Sequence, residues 1–252
     1  MKRAVIIGAS SGIGRQVAQL LVQDGWHVGL AARRIDKLQE LKRINEERVK
    51  TIEMDVTKPE ATTQLRTLIS QMGGMNLFFY AAGIGKQNPL LDEQIELGTI
   101  ETNAMGFTRM VGEAFRYFAE RAGGHIAIIS SISGIKGLGP APSYSATKAL
   151  QSTYLQALEQ LANSRNLNIA FTDIQPGFVQ TDLLFPQNGE MNESDARQYP
   201  MLMTAQKVAK QIVKAIYKKR HKVVIDWRWR LLTSLWRCIP NVVWRKLNLL
   251  RQ

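Results

Sequence analysis

Two rhythms of apolar positions alternate along the chain. Short apolar runs at residues 4–7, 26–31, 50–55, 75–80, 125–130, 168–174 and 222–225 have the length of buried strands, and longer stretches between them carry apolar residues at helical spacing. This alternation predicts an α/β fold, a doubly wound, Rossmann-type parallel sheet of seven strands with helices on both faces. No linker, repeat or low-complexity segment divides residues 1–226, which read as a single domain, and residues 227–252 read as a helical extension. The least regular stretch, residues 183–203, is bounded by Pro186 and Pro200 and follows the sixth strand. Ligands of open α/β sheets bind at that carboxyl edge. A lid is expected there, whose Leu183, Leu184, Phe185, Met191, Tyr199, Met201, Leu202 and Met203 suit either an adaptable apolar pocket or ordinary packing.

Composition is compatible with one large domain, since 252 residues at 45% hydrophobic content bury a full core. Charge is the unusual term. Residues 1–200 hold 20 Lys and Arg against 20 Asp and Glu, whereas residues 201–252 hold 13 against 1, so the formal net charge of +12 arises in the last fifth. The single cysteine, Cys238, excludes an intrachain disulfide and suits a reducing, cytoplasmic setting. The apolar run after Met1-Lys2-Arg3 is too short for a signal peptide, and no run of about 18 apolar residues predicts a spanning helix. His27, His125 and His221 are scattered, so no metal site is expected.

The first strand-like run leads into Gly8-Ala9-Ser10-Ser11-Gly12-Ile13-Gly14. Such a turn lets backbone approach a pyrophosphate, and the N–H groups of the following helix, near Ile13, would meet the phosphates. A plain structural turn is an even alternative for glycines alone, but the strand before and the helix after favour a nucleotide site. Farther along, Tyr144 and Lys148 are four apart at the start of a helical pattern and so share a face. A lysine ammonium beside a phenol is expected to lower the phenol's pKa of about 10, making it usable as an acid or base.

With Ser131, these residues form the spacing S-x12-Y-x3-K, and together with the glycine turn they resemble the classical short-chain dehydrogenase/reductase family from residue 1 to about residue 226. The resemblance implies hydride transfer between a nicotinamide cofactor and a carbonyl or alcohol substrate. Tyr144 would be the proton donor, Ser131 would hold the substrate oxygen, and Lys148 would serve the ribose and the phenol. The family separation selects Ser131 over Ser130 and Ser133. Asn103 would anchor a water in the proton relay and complete the catalytic set. Asp55 and Val56 would flank the adenine, with capping of a helix near Pro59 as the other role for Asp55. Ala82 and Gly83 would line the cofactor, although Tyr80 and Ala81 replace two asparagines usual in the family. Pro176, Gly177, Val179 and Thr181 would sit beside the nicotinamide. At the end of the second strand, Ala32 stands where NAD-using relatives carry Asp, and Arg33 and Arg34 follow. A guanidinium suits a 2′-phosphate, which favours NADP(H); a solvated arginine pair is the alternative. Relatives of this type imply a homo-oligomer, a dimer or tetramer.

The extension holds Trp227, Trp229, Trp236 and Trp244. On a helical wheel Trp227, Leu231, Leu232, Leu235, Trp236 and Ile239 form one apolar face, with Arg230, Thr233, Ser234 and Arg237 opposite and Arg228 breaking the pattern. Beyond Pro240, Val243, Leu247 and Leu250 repeat an apolar stripe, with Arg245 and Arg251 outside it. Two readings fit: an interfacial helix on an anionic membrane, or a helix packed on its own or a partner subunit. Lys207, Lys210, Lys214 and Lys218 read as the solvated stripe of a helix whose other face carries Val208, Ile212, Val213 and Ile216. No nucleic-acid motif accompanies the basic end, so no nucleic-acid partner is expected. The function expected is NADP(H)-dependent carbonyl reduction of an apolar or lipid-like ketone. A catalytically silent NADP(H) sensor and a tail-mediated interaction protein are the alternatives.

Overall fold

Each of the seven apolar runs becomes a strand of one parallel sheet in the computed structural model, which describes residues 1–185 and 199–247. Strands β1 (Arg3–Ile7), β2 (His27–Ala32), β3 (Val49–Glu53), β4 (Leu77–Tyr80), β5 (Gly124–Ile129) and β6 (Ile169–Gln175) are followed by the short β7 (Val179–Gln180) and β8 (Met203–Thr204) and by β9 (Lys222–Val224). The sheet order is β3-β2-β1-β4-β5-β6-β9, with β7 and β8 paired separately. Crossing from β3-β2-β1 to β4 reverses the direction of winding, and a crevice opens there at the carboxyl ends of the strands.

The strands alternate side chains between two cores, which is the period-2 consequence of the pleat. Ala4 and Ile6 of β1 and Val28 and Leu30 of β2 pack with Val17 and Leu21 of α1 (Gly12–Gln23). Val5 and Ile7 face the other way, toward Leu65 of α3 (Ala61–Gln71), Phe107 and Val111 of α5 (Phe107–Ala119) and Leu155 of α6 (Pro142–Ser164). Helix α2 (Ile35–Ile44) covers the β2–β3 side through Leu38 and Leu41. Helix α4 (Glu93–Ile100) runs into α5 through a π-helical turn, Glu101–Gly106. Helix α7 (Ala205–Tyr217) buries Val208, Ile212, Val213 and Ile216 and exposes Lys207, Lys210, Lys214 and, just past its end, Lys218.

The core continues past residue 226. Asp226, at a φ of 74°, turns the chain and caps α8 (Trp227–Cys238) by accepting from Arg228 N at 2.9 Å. Trp229 and Thr233 of α8 are buried, and Leu232 and Trp236 pack against the same cluster as α1 and α7. The wheel assignment of this helix is therefore corrected. Trp227, Leu231 and Leu235, expected with Trp236 on one apolar face, are exposed while Trp236 packs inward, and Thr233, expected on the polar side, is 2% exposed. The reason is that α8 is apolar on two opposite faces, and the domain takes the one carrying the ring that fits beside Gly177. A short α9 (Asn241–Trp244) follows Pro240 and ties down through Trp244, whose indole Nε1 donates to Gly137 O at 2.9 Å. Leu250 and Arg251 lie outside the described residues. Among the described residues, no helix is long and apolar enough to cross a membrane.

Candidate active site

A cleft of about 790 Å³ lies over the carboxyl ends of the central strands. Every site residue expected from the sequence lines it except Asn103, which sits behind its wall. Gly8 makes its floor, at a φ of +86°, and a Cβ there would stand 2.5 Å from Ala82 N. A side chain at Gly8 would therefore push the β1 and β4 loops apart. Ser11 occupies the N-cap of α1 without using its side chain as a cap, so the first N–H groups of the helix are left for an anion in the cleft. These features fit the pyrophosphate of a dinucleotide.

At the end of β2 the buried Ala32 presents no carboxylate, and Arg33 and Arg34 are exposed at the cleft. Arg34 reaches back over the glycine turn, donating to Ser11 Oγ at 2.7 Å and Ser10 Oγ at 3.2 Å, and it pairs with Asp182 at 3.2 Å. Two hydroxyls and a guanidinium thus converge, with Arg33 adjacent, at the place where a ribose 2′ substituent would be read. Asp55 accepts from Thr57 N at 3.0 Å and Thr57 Oγ1 at 2.9 Å. Burial pushes its pKa up, but these bonds and the Arg33 and Lys58 cations outweigh burial and hold it below the ordinary carboxylate range. Its capping is of the turn at Thr57; α3 starts at Ala61 behind Glu60, which corrects the helix-capping alternative.

Ser131 lies two residues past β5 and caps the 3-10 turn Ile132–Gly134, while Tyr144 and Lys148 occupy successive turns at the start of α6, whose first turn is set by Pro142. Of the neighbouring serines, Ser130 is turned away and donates to Asp173. Ser131 Oγ accepts from Ser133 N at 3.1 Å. Burial raises the pKa of the Tyr144 phenol, and the neighbouring Ser131 hydroxyl offsets this only in part. The expected lowering of that pKa by Lys148 is therefore not met in this state. Lys148 lies 5.7 Å from the phenol ring centroid, and its Nζ donates to Ile129 O and to Gln151 Oε1, each at 3.0 Å. Burial brings its own pKa down to about 8, against the opposing pull of Asp173.

Asn103 lies in the π-helical turn, and its side chain clamps the backbone of Ile84, accepting from Ile84 N at 2.9 Å and donating to Ile84 O at 2.6 Å. This clamp holds the irregular segment after Gly83 against the cleft. The Asn103 carbonyl oxygen accepts from Gln151 Nε2 at 2.8 Å. Lys148, Gln151 and the Asn103 backbone carbonyl therefore form a continuous buried chain of bonds. Gln151 was missed by the sequence reading; its signal was a polar residue one turn beyond Lys148 on the same helix face. Tyr80, at one of the replaced asparagine positions, fills its space by edge contact with Phe107 at 5.3 Å between ring centres.

The opposite wall of the cleft comes from the extension. Trp229 is 2% exposed and sits so tightly on the segment after β6 that a Cβ on Gly177 would lie 2.2 Å from its Nε1. Phe178, Trp229, Trp236 and Trp244 follow ring to ring, with centroid separations of 5.7, 6.3 and 5.5 Å. Trp229 and Trp236 both line the cleft, and neither was expected there; their seven-residue spacing, two helical turns, was the available signal. Of the expected lid residues, Leu183, Leu184 and Tyr199 line the cleft, whereas Phe185 and Met203 are buried in the core. Met201 packs against that core as well. Pro186 and Met191 lie outside the described residues.

Residues 2–192 match the family model described as short chain dehydrogenase. An uncharacterized oxidoreductase of Myxococcus xanthus is 32% identical over 247 residues, covering 95% of this chain and 93% of the relative. Another, from Staphylococcus aureus, is 32% identical over 87% of this chain and 93% of its own length. Among solved structures, a short-chain dehydrogenase from Streptomyces avermitilis superposes with a TM-score of 0.80 at 23% identity, over 93% of this chain and 92% of its own. A short chain dehydrogenase/reductase from Burkholderia phymatum, in complex with NAD, superposes with a TM-score of 0.82 at 20% identity, over 93% and 92%. With these matches over most of its length, and a seven-stranded parallel sheet flanked by helices, the chain belongs to the short-chain dehydrogenase family and has its Rossmann-like oxidoreductase fold.

Proposed function

We propose that this oxidoreductase uses NADP(H) to reduce an apolar or lipid-like ketone to a secondary alcohol. The observation that carries the reading is the meeting of Ser131 and Tyr144 beside buried Lys148, in a cleft whose far end gathers Arg33, Arg34, Ser10 and Ser11. Gly8, Gly12 and Gly14, the N-terminus of α1 and the Pro176-Gly177 segment would hold the dinucleotide, whose nicotinamide supplies the hydride that reaches the carbonyl carbon. As negative charge gathers on the substrate oxygen, Tyr144 gives it the phenolic proton and Ser131 donates a hydrogen bond to it. Lys148, held by Ile129 O and Gln151, keeps an ammonium near the phenol and returns the proton. Preference for an apolar substrate rests on Trp229, Trp236, Tyr199, Leu183 and Leu184 around the cleft.

The test is a panel of short ketones, ketolipids, steroids and keto-sugars assayed with NADPH and with NADH. Tyr144→Phe is expected to lower kcat by at least a factor of about 100 while NADPH binding, followed by fluorescence, is kept, because only the proton donor is removed. Turnover retained by that variant overturns the catalytic assignment. A folded wild-type protein that binds NADPH but turns over none of the panel favours the sensor reading.

A further inference from the structure

The two faces of α8 have separate tasks. Its inner face, Trp229 and Trp236, walls the cleft. Its outer face carries Trp227, Leu231 and Leu235 at four-residue spacing, exposed by 70%, 59% and 57%. Nothing among the described residues covers this stripe, and exposed Val242, Val243 and Leu247 extend the apolar surface past Pro240. Arg230, Arg237, Arg245 and Lys246 are exposed around it, and no acidic residue occurs after Asp226. Asp226 itself is already held by Arg228 in a pair of bonds at 3.0 Å.

We propose that this outer face docks the protein on an anionic lipid bilayer. A second copy of the chain is disfavoured as the occupant, because a face-to-face pairing would bring two acid-free, cationic rims together. An acidic headgroup layer over hydrocarbon matches both components: arginine and lysine at the phosphates, Trp and Leu at the acyl boundary. The geometry gives the docking a use. The stripe and the cleft wall are two sides of one twelve-residue helix, so a docked molecule holds its cleft within a helix diameter of the bilayer. A carbonyl dissolved in the lipid would then enter beside Trp236 without crossing bulk water, a consequence that rests on the reductase reading, whereas the docking itself does not.

The test uses the full-length protein with vesicles of phosphatidylcholine, alone or with 30 mole per cent phosphatidylglycerol as an assumed round composition, about that of a strongly anionic membrane. Co-sedimentation is expected with the anionic vesicles at low salt, to weaken as salt rises and to leave a salt-resistant remainder. Leu231→Gln with Leu235→Gln keeps the charge and spares the cleft; it is expected to lower vesicle partitioning at least about tenfold with the melting temperature and soluble-ketone reduction unchanged. Lys210→Glu with Lys214→Glu, on the exposed side of α7, is the control for general electrostatic attraction and should cost much less. Absence of binding by the folded wild-type protein at low salt overturns the proposal, as does an equal loss in both double variants. A fall in native mass on changing Leu231 and Leu235, without vesicle binding, assigns the stripe to a second copy and overturns it too. Vesicle binding without ketone reduction leaves the docking standing and refutes the reductase reading instead.

Discussion

Replacing Gln151 by leucine tests whether the buried chain from Lys148 to Asn103 tunes the reaction or only fills space. Gln151 is fully buried, accepts from Lys148 Nζ at 3.0 Å and donates to the Asn103 carbonyl at 2.8 Å. Leucine has nearly the same volume, so the main loss is polar. A hydrogen bond to a charged group contributes about 1.5–3 kcal/mol. Because this bond favours the ammonium, its loss moves the Lys148 pKa down by about 1–2 units at 1.36 kcal/mol per unit. The starting value is about 8. Roughly nine-tenths of Lys148 is then protonated at pH 7 in the wild type, and about a tenth to a half in the variant.

The assay is the pH dependence of kcat/KM for NADPH, which reports the free enzyme. A group that must be protonated gives a limb along which activity falls as pH rises through its pKa. That limb is expected near pH 8 in the wild type and near 6–7 in Gln151→Leu, with about a two- to tenfold loss at pH 7 that is recovered on acidification. Gln151→Glu retains an acceptor and adds a negative charge beside the ammonium, so its limb should move above 8. A limb that stays in place in both variants while the melting temperature falls would show that Gln151 is only structural.

Three further outcomes follow from the same geometry. Arg33→Ala should weaken NADPH relative to NADH by about 1.5–3 kcal/mol, and Ala32→Asp should move the preference further toward NADH; equal losses of both cofactors in Arg33→Ala, measured by fluorescence titration, refute a 2′-phosphate contact. Trp229→Ala should destabilise the protein by about 3–5 kcal/mol in urea unfolding, and an unchanged midpoint would show that the extension merely rests on the domain. His125, buried against Thr172 Oγ1 at 2.8 Å, has its pKa brought down to about 4 by burial, with Lys219 assisting. The unfolded chain therefore takes up this proton first as pH falls, and stability fully present above about 6.5 declines by about 3 kcal/mol toward pH 4. His125→Gln should lose that slope, and matching pH profiles of unfolding free energy for the two proteins would refute it.

What the sequence disclosed and what it hid have physical reasons. Strands were legible because each is an apolar run between helical patterns, and their pairing in parallel follows from the intervening helices. Tyr144 and Lys148 were legible because they stand one helical turn apart, and Ser131 through the separation from Tyr144 that the family resemblance implies. The ribbon of β7 and β8 was not, since two-residue strands carry no period. Gln151 was hidden because a buried polar residue is recognised by its partners, and those lie 3 and 48 positions away. The packed side of α8 was hidden for a different reason: with two apolar faces on one helix, the wheel favoured the one with more leucines, whereas the fold selects the face whose ring fits against Gly177.

That last selection separates chemistry from selectivity along the chain. The family match ends at residue 192, after the glycine turn, Ser131, Tyr144 and Lys148, and before α8 begins. The residues proposed to move the proton and hold the cofactor thus lie in the matched segment, whereas Trp229 and Trp236, which line the cleft, lie beyond it. Changes in the extension alter the shape presented to a substrate without touching the Tyr144–Lys148 pair, as long as Trp229 keeps its seat on Gly177. The constraint runs the other way as well. Gly177 has no room for a Cβ because Trp229 is there, so the 176–178 segment and the extension must vary together. A substrate preference held by such a joint moves in steps, with ring size at Trp229 setting how far the 176–178 backbone opens.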